Sequence, residues 1–148
     1  MHPTAARLAE RLRREGLDIQ VTTLSDSART AALAAAALNV QAGQIVKSLV
    51  FLRNDEPVLV LCAGDRRVDA DRLGLSPAPP DRVRDATGFS IGGVPPLGHD
   101  VALETIIDES LRRFSVVWAA AGTPHEVFAV ATEALIHAIP AAELVSVS

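Results

Sequence analysis

The sequence predicts a mixed α/β domain of the α+β kind with a largely antiparallel sheet, and three observations lead there. Nearly half of the 148 residues are apolar and the mean hydropathy is +0.25, enough to bury a core without staples. Strand-like and helix-like stretches do not alternate in the regular rhythm of a doubly wound parallel sheet. Two apolar runs, 44–52 and 57–63, are joined only by Arg53-Asn54-Asp55-Glu56, a loop that suits an antiparallel hairpin. The length fits one domain spanning residues 1–148.

The elements follow in order. Thr4 is placed to cap a first helix running to about Glu15, with Gly16 just past its end and Leu8 and Leu12 on one face. Residues 19–24 (IQVTTL) read as a strand. In SDSARTAALAAAALN, Ser25 or Ser27 offers the N-cap of an alanine-rich helix and Asn39 its stop. After the hairpin, short helices are expected near Asp69–Leu73 and Asp81–Ala86, separated by the turn-rich LSPAPP, and Gly88 closes the second. Residues 88–98 (GFSIGGVPPLG) hold five glycines and prolines in their last seven positions, which marks a loop with an imposed shape. Strands are expected at 101–107, 115–121, 126–131 and 143–147, with a short helix at 132–138. There is no internal repeat or low-complexity segment.

Charge and cysteine usage exclude some functions. The formal net charge is −4 and the isoelectric point near 5.5, while the arginines gather locally at 7–14, 66–72 and 82–84. A protein that grips nucleic acid tightly by its phosphates presents a broad basic face, which this balance argues against. A single cysteine excludes an internal disulfide and a cysteine-based zinc site and fits a reducing compartment. No basic-then-apolar leader and no apolar stretch of about 20 residues is present, so a soluble cytoplasmic protein is expected. No metal or cofactor is expected, because neither His99 nor His125 has metal-ligand spacing with another donor.

Lys47 is the only lysine, against thirteen arginines, and it lies inside the strand QIVKSLVF. Period-two alternation puts it on one face with Ile45, Leu49 and Phe51, opposite Gln44, Val46, Ser48 and Val50. The first set is the more apolar, so it is expected to face the core, with the ammonium projecting inward or into a cavity at the core's edge. An unpaired buried ammonium costs on the order of several kcal/mol, so it needs a carboxylate, carbonyls or an anionic ligand. A compact point charge suits a small pocket where a planar guanidinium does not. The plainer alternative is a strand-end lysine that snorkels to water.

GFSIG at 88–92 matches the nucleophile-elbow pattern G-x-S-x-G around Ser90, with Asp108 and His125 following in triad order. A helix precedes it and Gly93-Val94-Pro95-Pro96 follows, which is the wrong context for an elbow; a serine hydrolase stays the minor alternative. Read as a loop, GGVPPLGH lets the backbone approach a ligand closely and aim N–H groups at an anion or a carbonyl oxygen. GTPH at 122–125 is a second glycine-led turn, after a strand whose small alanines leave room beside it. His99 and His125 each follow one of these loops and either orient substrate or cap a turn. Cys62 reads as an apolar filler, with a thiol nucleophile paired to His99 as the minor alternative.

Taken together, IVKSLVF, TGFSIGGVPPLGH and IIDESLRRFSVVWAAAGTPHEVF resemble the YbaK-like aminoacyl-tRNA editing domains, also known as prolyl-tRNA editing or Cys-tRNA(Pro)/Ala-tRNA(Pro) deacylase domains. The resemblance spans the whole chain. It implies a mixed α/β fold on a curved, mainly antiparallel sheet with flanking helices. It also implies an enzyme that hydrolyses the ester between a wrong amino acid and the 3′-terminal adenosine of a tRNA, most often tRNA(Pro), acting in trans. By position, Lys47 takes the place of the family's essential lysine. Gly92, Gly93, Val94, Pro95 and Pro96, continuing through Gly98 and His99, take the place of its substrate loop, and Gly122 and Thr123 that of the second pocket loop. The implied partners are the 3′ CCA end of an aminoacyl-tRNA and, to supply it, prolyl-tRNA synthetase or an elongation factor. A non-catalytic module that binds a small ligand or an aminoacyl-tRNA end is the alternative from another class.

Overall fold

The structure, a computed structural model, describes residues 2–25 and 29–148. Helix α1 (Pro3–Arg14) begins with Pro3 at its first position, where a missing N–H costs nothing, and His2 rather than Thr4 is the cap: its Nδ1 accepts from the Thr4 N–H at 3.1 Å. The helix ends in a Schellman arrangement, with Leu17 N–H bonded to Leu12 O at 2.8 Å and Gly16 N–H to Arg13 O at 3.0 Å. Ala5, Leu8 and Leu12 form its buried face. Strand β1 (Val21–Thr23) is shorter than expected. Helix α2 (Ala31–Leu38) is capped by Thr30, whose hydroxyl accepts from Leu33 N–H at 3.1 Å, and Asn39 stops it in the left-handed region. The cap is thus not Ser25, and Ser27 lies outside the described residues.

Strands β2 (Val46–Arg53) and β3 (Glu56–Ala63) pair antiparallel in register from Val46↔Ala63 to Arg53↔Glu56. Asn54 and Asp55 both take positive φ (51° and 66°), the tight turn whose twist matches that of the strands. Helix α3 (Ala70–Leu73) is capped by Asp69, β4 (Ser76–Pro77) adds an edge to β2, and α4 (Pro80–Thr87) closes at Gly88. Strands β5 (Glu104–Asp108), β6 (Val116–Ala120) and β7 (Glu126–Ala131), helix α5 (Thr132–His137) and β8 (Glu143–Val145) complete the order.

These strands form two sheets, one of order β4-β2-β3-β5-β8 and one of order β1-β7-β6. Every hairpin neighbour is antiparallel, but β3–β5 and β5–β8 are parallel, so the larger sheet is mixed. A single parallel bridge, Ile45↔Trp118, leads from β2 to β6 and links the two sheets. The space between them holds the main core: Val46, Val50, Leu59 and Leu61 from one sheet meet Val117, Ala119, Phe128 and Val130 from the other, closed by Leu8 and Leu12 of α1. A smaller core lies on the far face of β3, with Val58, Val60, Cys62 and Ile106 inside and Leu49 and Phe51 packed against them.

That second core corrects the expectation for β2. The buried residues of this strand are Val46 and Val50, while Lys47, Leu49 and Phe51 are half-buried. Alternation is as expected, yet the more apolar face looks toward the smaller core. Lys47 stands at the edge of that core.

Candidate active site

Lys47 is placed by the β2–β3 ladder and by the turn that leaves β3. The Arg66 N–H closes that turn on Ala63 O at 2.9 Å, and the Arg66 carbonyl accepts from Lys47 Nζ at 2.6 Å. An ammonium has three N–H donors, so two are left for the cavity beside it. The turn itself is held from behind. Arg113 grips Asp65 through both carboxylate oxygens at 2.7 and 2.8 Å, holding its carboxyl below the usual carboxylate range, and Asp108 accepts from Ala63 N–H at 3.0 Å. Gly64 admits no side chain, because a Cβ there would stand 2.2 Å from Ala42 O.

Cys62 lies directly across the ladder from Lys47, fully buried, with Sγ 3.5 Å from the same Arg66 carbonyl. Burial pushes its thiol up to about 11 against the pull of Lys47, so it stays protonated at neutral pH and is no nucleophile.

The glycine–proline loop forms a facing wall. Gly93 N–H is bonded to Ser90 O at 2.9 Å, and a Cβ on Gly93 would meet Gly122 O and Thr123 Cα at 2.9 Å. The loop and the GTPH turn are therefore in direct backbone contact, which requires glycine. Behind this wall His99 is buried, its Nε2 2.8 Å from Pro95 O and its ring tilted against Phe89. Burial lowers the His99 pKa, so the neutral ring donates Nε2–H to that carbonyl and braces the loop. Arg11 of α1 ties the far end, donating to His99 O at 3.0 Å and to Asp100 at 2.7 Å.

A cavity of about 670 Å³ opens between these walls. Of the residues singled out in the sequence, Lys47, Gly92 and Val94 line it. Gly93, Gly122 and Thr123 form the contact between the loops, and Pro95, Pro96, Gly98 and His99 stand behind as support. The GTPH turn reaches the cavity through Pro124. His125 ties its turn to the chain before α2, its carbonyl accepting from Leu24 N–H at 2.6 Å. Ser90 is exposed on an irregular loop and held by Arg84 at 2.9 Å, with no helix after it; Asp108 is engaged with Ala63 and Ser110. That is not a nucleophile elbow.

The sequence reading missed the opposite wall. Arg29 and Thr30 at the start of α2, and Trp118 of β6, also line the cavity. Among the described lining residues the charged groups are Lys47 and Arg29, with no carboxylate and no histidine. The signals that point to these residues are faint: the only tryptophan of the chain in an alanine-rich strand, and an arginine beside a helix cap.

Fold and site together define an α/β domain whose largely apolar cavity carries Lys47 and Arg29 and is bounded by closely packed backbone loops. Residues 25–138 match the aminoacyl-tRNA editing domain, and the chain belongs to that family. Among its relatives is YwhH of Bacillus subtilis, 34% identical over 110 residues that cover 70% of each chain. A proline–tRNA ligase of Lactobacillus gasseri is also 34% identical, over 97 residues that are 60% of this chain but 17% of the ligase. In three dimensions the chain matches a crystal structure of a protein proposed as a trans-editing enzyme for prolyl tRNA synthetase, with a TM-score of 0.91 and 41% identity over 100% of this chain and 98% of that one.

Proposed function

We propose that this protein is a trans-acting aminoacyl-tRNA deacylase that hydrolyses the ester of mischarged tRNA(Pro) in the translation machinery of the cytoplasm. The observation that carries the reading is the convergence of Lys47 and the 90–94 loop on one cavity in an editing domain. The near end-to-end match with the trans-editing protein, against the small fraction of the ligase that is covered, supports action on tRNA released by a synthetase.

In this reading the 3′ end of the tRNA enters the cavity and water attacks the carbonyl carbon of the aminoacyl ester. The carbonyl electron pair moves onto oxygen, and the bond to the ribose oxygen then breaks, releasing the amino acid and the tRNA hydroxyl. Lys47 stabilises the negative charge that builds on the carbonyl or leaving oxygen, held in place by the Arg66 carbonyl. The Gly93 N–H is already bonded to Ser90 O, so oxyanion donors from this loop are the amides of its neighbours, Gly92 and Val94. The described walls supply no carboxylate or imidazole base, so a tRNA ribose hydroxyl or the substrate's own amine assists the water. The protein contributes position and electrostatics.

A deacylation assay on tRNA(Pro) charged with Ala, Cys, Ser or Thr tests this. Hydrolysis of at least one ester, lost in Lys47→Ala, is expected. Binding of aminoacyl-tRNA with no hydrolysis of any of them would make the protein a binding module instead.

A further inference from the structure

Glu126 is a carboxylate that the chemistry of the cavity does not use, only 4% exposed at the first position of β7, directly after the GTPH turn. Its Oε1 accepts from the His2 N–H at 2.9 Å and its Oε2 from the Thr23 hydroxyl at 3.1 Å. Both donors are neutral. Burying a carboxylate on neutral partners is costly, and an apolar residue or an amide would fill the space more cheaply. The carboxylate joins three elements instead. One oxygen holds the start of α1 and the other holds β1, while the Glu126 carbonyl closes the turn by accepting from Ala121 N–H at 2.7 Å.

The first turn of α1 is thereby packed against the GTPH turn. A Cβ on Gly122 would stand 2.9 Å from Thr4 Cγ2 and 3.2 Å from the Phe89 ring. Gly122 is also the residue against whose carbonyl Gly93 packs, backbone on backbone, and Pro124 of the same turn lines the cavity. No side chain lies in the Gly122–Gly93 contact to absorb a displacement, so a shift of the turn reaches the glycine–proline loop. We infer that Glu126 is a positioning residue of the cavity: it fixes the GTPH turn between α1 and β1, and with it Pro124 and the Gly92 and Val94 amides. Glu126 does not itself line the cavity and acts through the turn. The inference rests on the deacylase reading for its chemistry.

Glu126→Ala leaves the His2 N–H and the Thr23 hydroxyl without their acceptor, and kcat/KM on the preferred ester should fall about ten-fold. A smaller folded fraction would lower the rate too. The deciding quantity is therefore the ratio of kcat/KM between the best and second-best of the Ala, Cys, Ser and Thr esters of tRNA(Pro), which is independent of how much enzyme is folded. A displaced Pro124 reshapes the wall, and the ratio should change by about three-fold or more. Glu126→Gln should restore both rate and ratio, because its amide oxygen accepts from the His2 N–H and its NH2 donates to the Thr23 oxygen. Where Glu126→Ala does not fold, Thr23→Val removes one of the two ties and should move the ratio in the same direction by about two-fold. An unchanged ratio overturns the inference, and so does a Glu126→Gln protein as impaired as Glu126→Ala, which would make the charge itself the requirement. Should the wild type hydrolyse none of the four esters, the deacylase reading falls and amide hydrogen exchange decides. Faster exchange at Ala121 and Gly93 in Glu126→Ala, reversed in Glu126→Gln, upholds the tie; unaltered exchange overturns it.

Discussion

Two concavities of nearly equal size, about 670 and about 610 Å³, lie on opposite sides of the glycine–proline loop and use their cations differently. The first presents Lys47 and Arg29 on apolar walls with no described carboxylate. The second, between α1 and the 87–89 and 98–100 segments, presents Arg7, Arg11 and Arg14 but also Glu10 and Asp100. There Arg11 is occupied by Asp100 and Glu15, and Arg7 donates to Thr4. Counting positive residues would favour the second. Asking which charges are already engaged weakens that preference, since Arg11 is committed to Asp100 and Glu15, whereas Lys47, bonded to the Arg66 carbonyl, keeps two N–H donors for a ligand. The arginines of α1 hold the loop in place; the lysine of β2 faces what the loop encloses.

The largest effect that follows is at Lys47. Removing the cation aimed at the developing charge should cut kcat/KM by roughly 10²–10³-fold in Lys47→Ala, in line with the loss of a single oxyanion donor elsewhere. Lys47→Arg should recover little of it, since a planar fork does not reproduce a compact ammonium anchored on the Arg66 carbonyl. Arg11→Ala is the counterpart in the other concavity. It should leave deacylation within about three-fold while lowering Tm, because Arg11 anchors His99 O and Asp100 and touches nothing in the cavity. Equal losses of activity for the two would dissolve the contrast.

The contact between the two loops comes next. Gly93→Ala forces a Cβ to within 2.9 Å of the Gly122 carbonyl, and both partners are backbone. The loops must part by several tenths of an ångström. Since misplacement of about 1 Å can cost on the order of 10²-fold, a loss of roughly 10- to 100-fold in kcat/KM is expected, with Lys47 untouched. A fully active Gly93→Ala would show that the loop wall does not shape the ester site.

One side of this contrast, the β2 lysine and the glycine–proline loop, stood out in the chain; the concavity beside α1 did not, and the illegible part has physical reasons. The β2–β3 hairpin is local: apolar alternation and a four-residue polar link specify it without reference to the rest of the fold. Lys47 and the glycine–proline loop stand out because their residue types are costly where they occur. The inward face of β2 was misjudged because period-two reading assumes one buried face, whereas β3 beside it is buried on both. The parallel β3–β5 pairing depends on a 40-residue crossover that no local pattern announces. Thr30, rather than Ser25, caps α2, a choice among several good capping residues that propensity does not rank. Arg29 and Trp118 carry no motif, and they come to line the same cavity as Lys47 only through tertiary packing, Trp118 by way of the Ile45↔Trp118 bridge between the sheets.

A smaller effect is expected behind Lys47. Arg113→Ala frees Asp65 and loosens the turn that presents the Arg66 carbonyl, so it should lower kcat several-fold with little change in KM. In a Lys47→Ala background the same substitution should cost almost nothing more in activity, since both act on one group. Additive losses would mean that Arg113 acts through general stability alone.

The smallest effect belongs to the support on the far side of the loop, and pH reads it. His99 is buried and neutral with its pKa below the usual 6.5, so the unfolded chain binds a proton more readily than the folded one. The stability this contributes is present in full above about pH 6.5 and is lost as pH falls through the lowered folded value. Thermal unfolding followed from pH 7.5 down to 5 should therefore show a declining Tm. In His99→Gln, which retains a donor for the Pro95 carbonyl and does not titrate, that decline should flatten at some cost in Tm at neutral pH. Deacylation by the wild type over the same range should show no acid limb tied to His99, because the ring touches the loop and not the cavity. A kcat that falls with the protonation of His99 while Tm holds would move this histidine from the scaffold into the site, and with it the boundary between the two concavities.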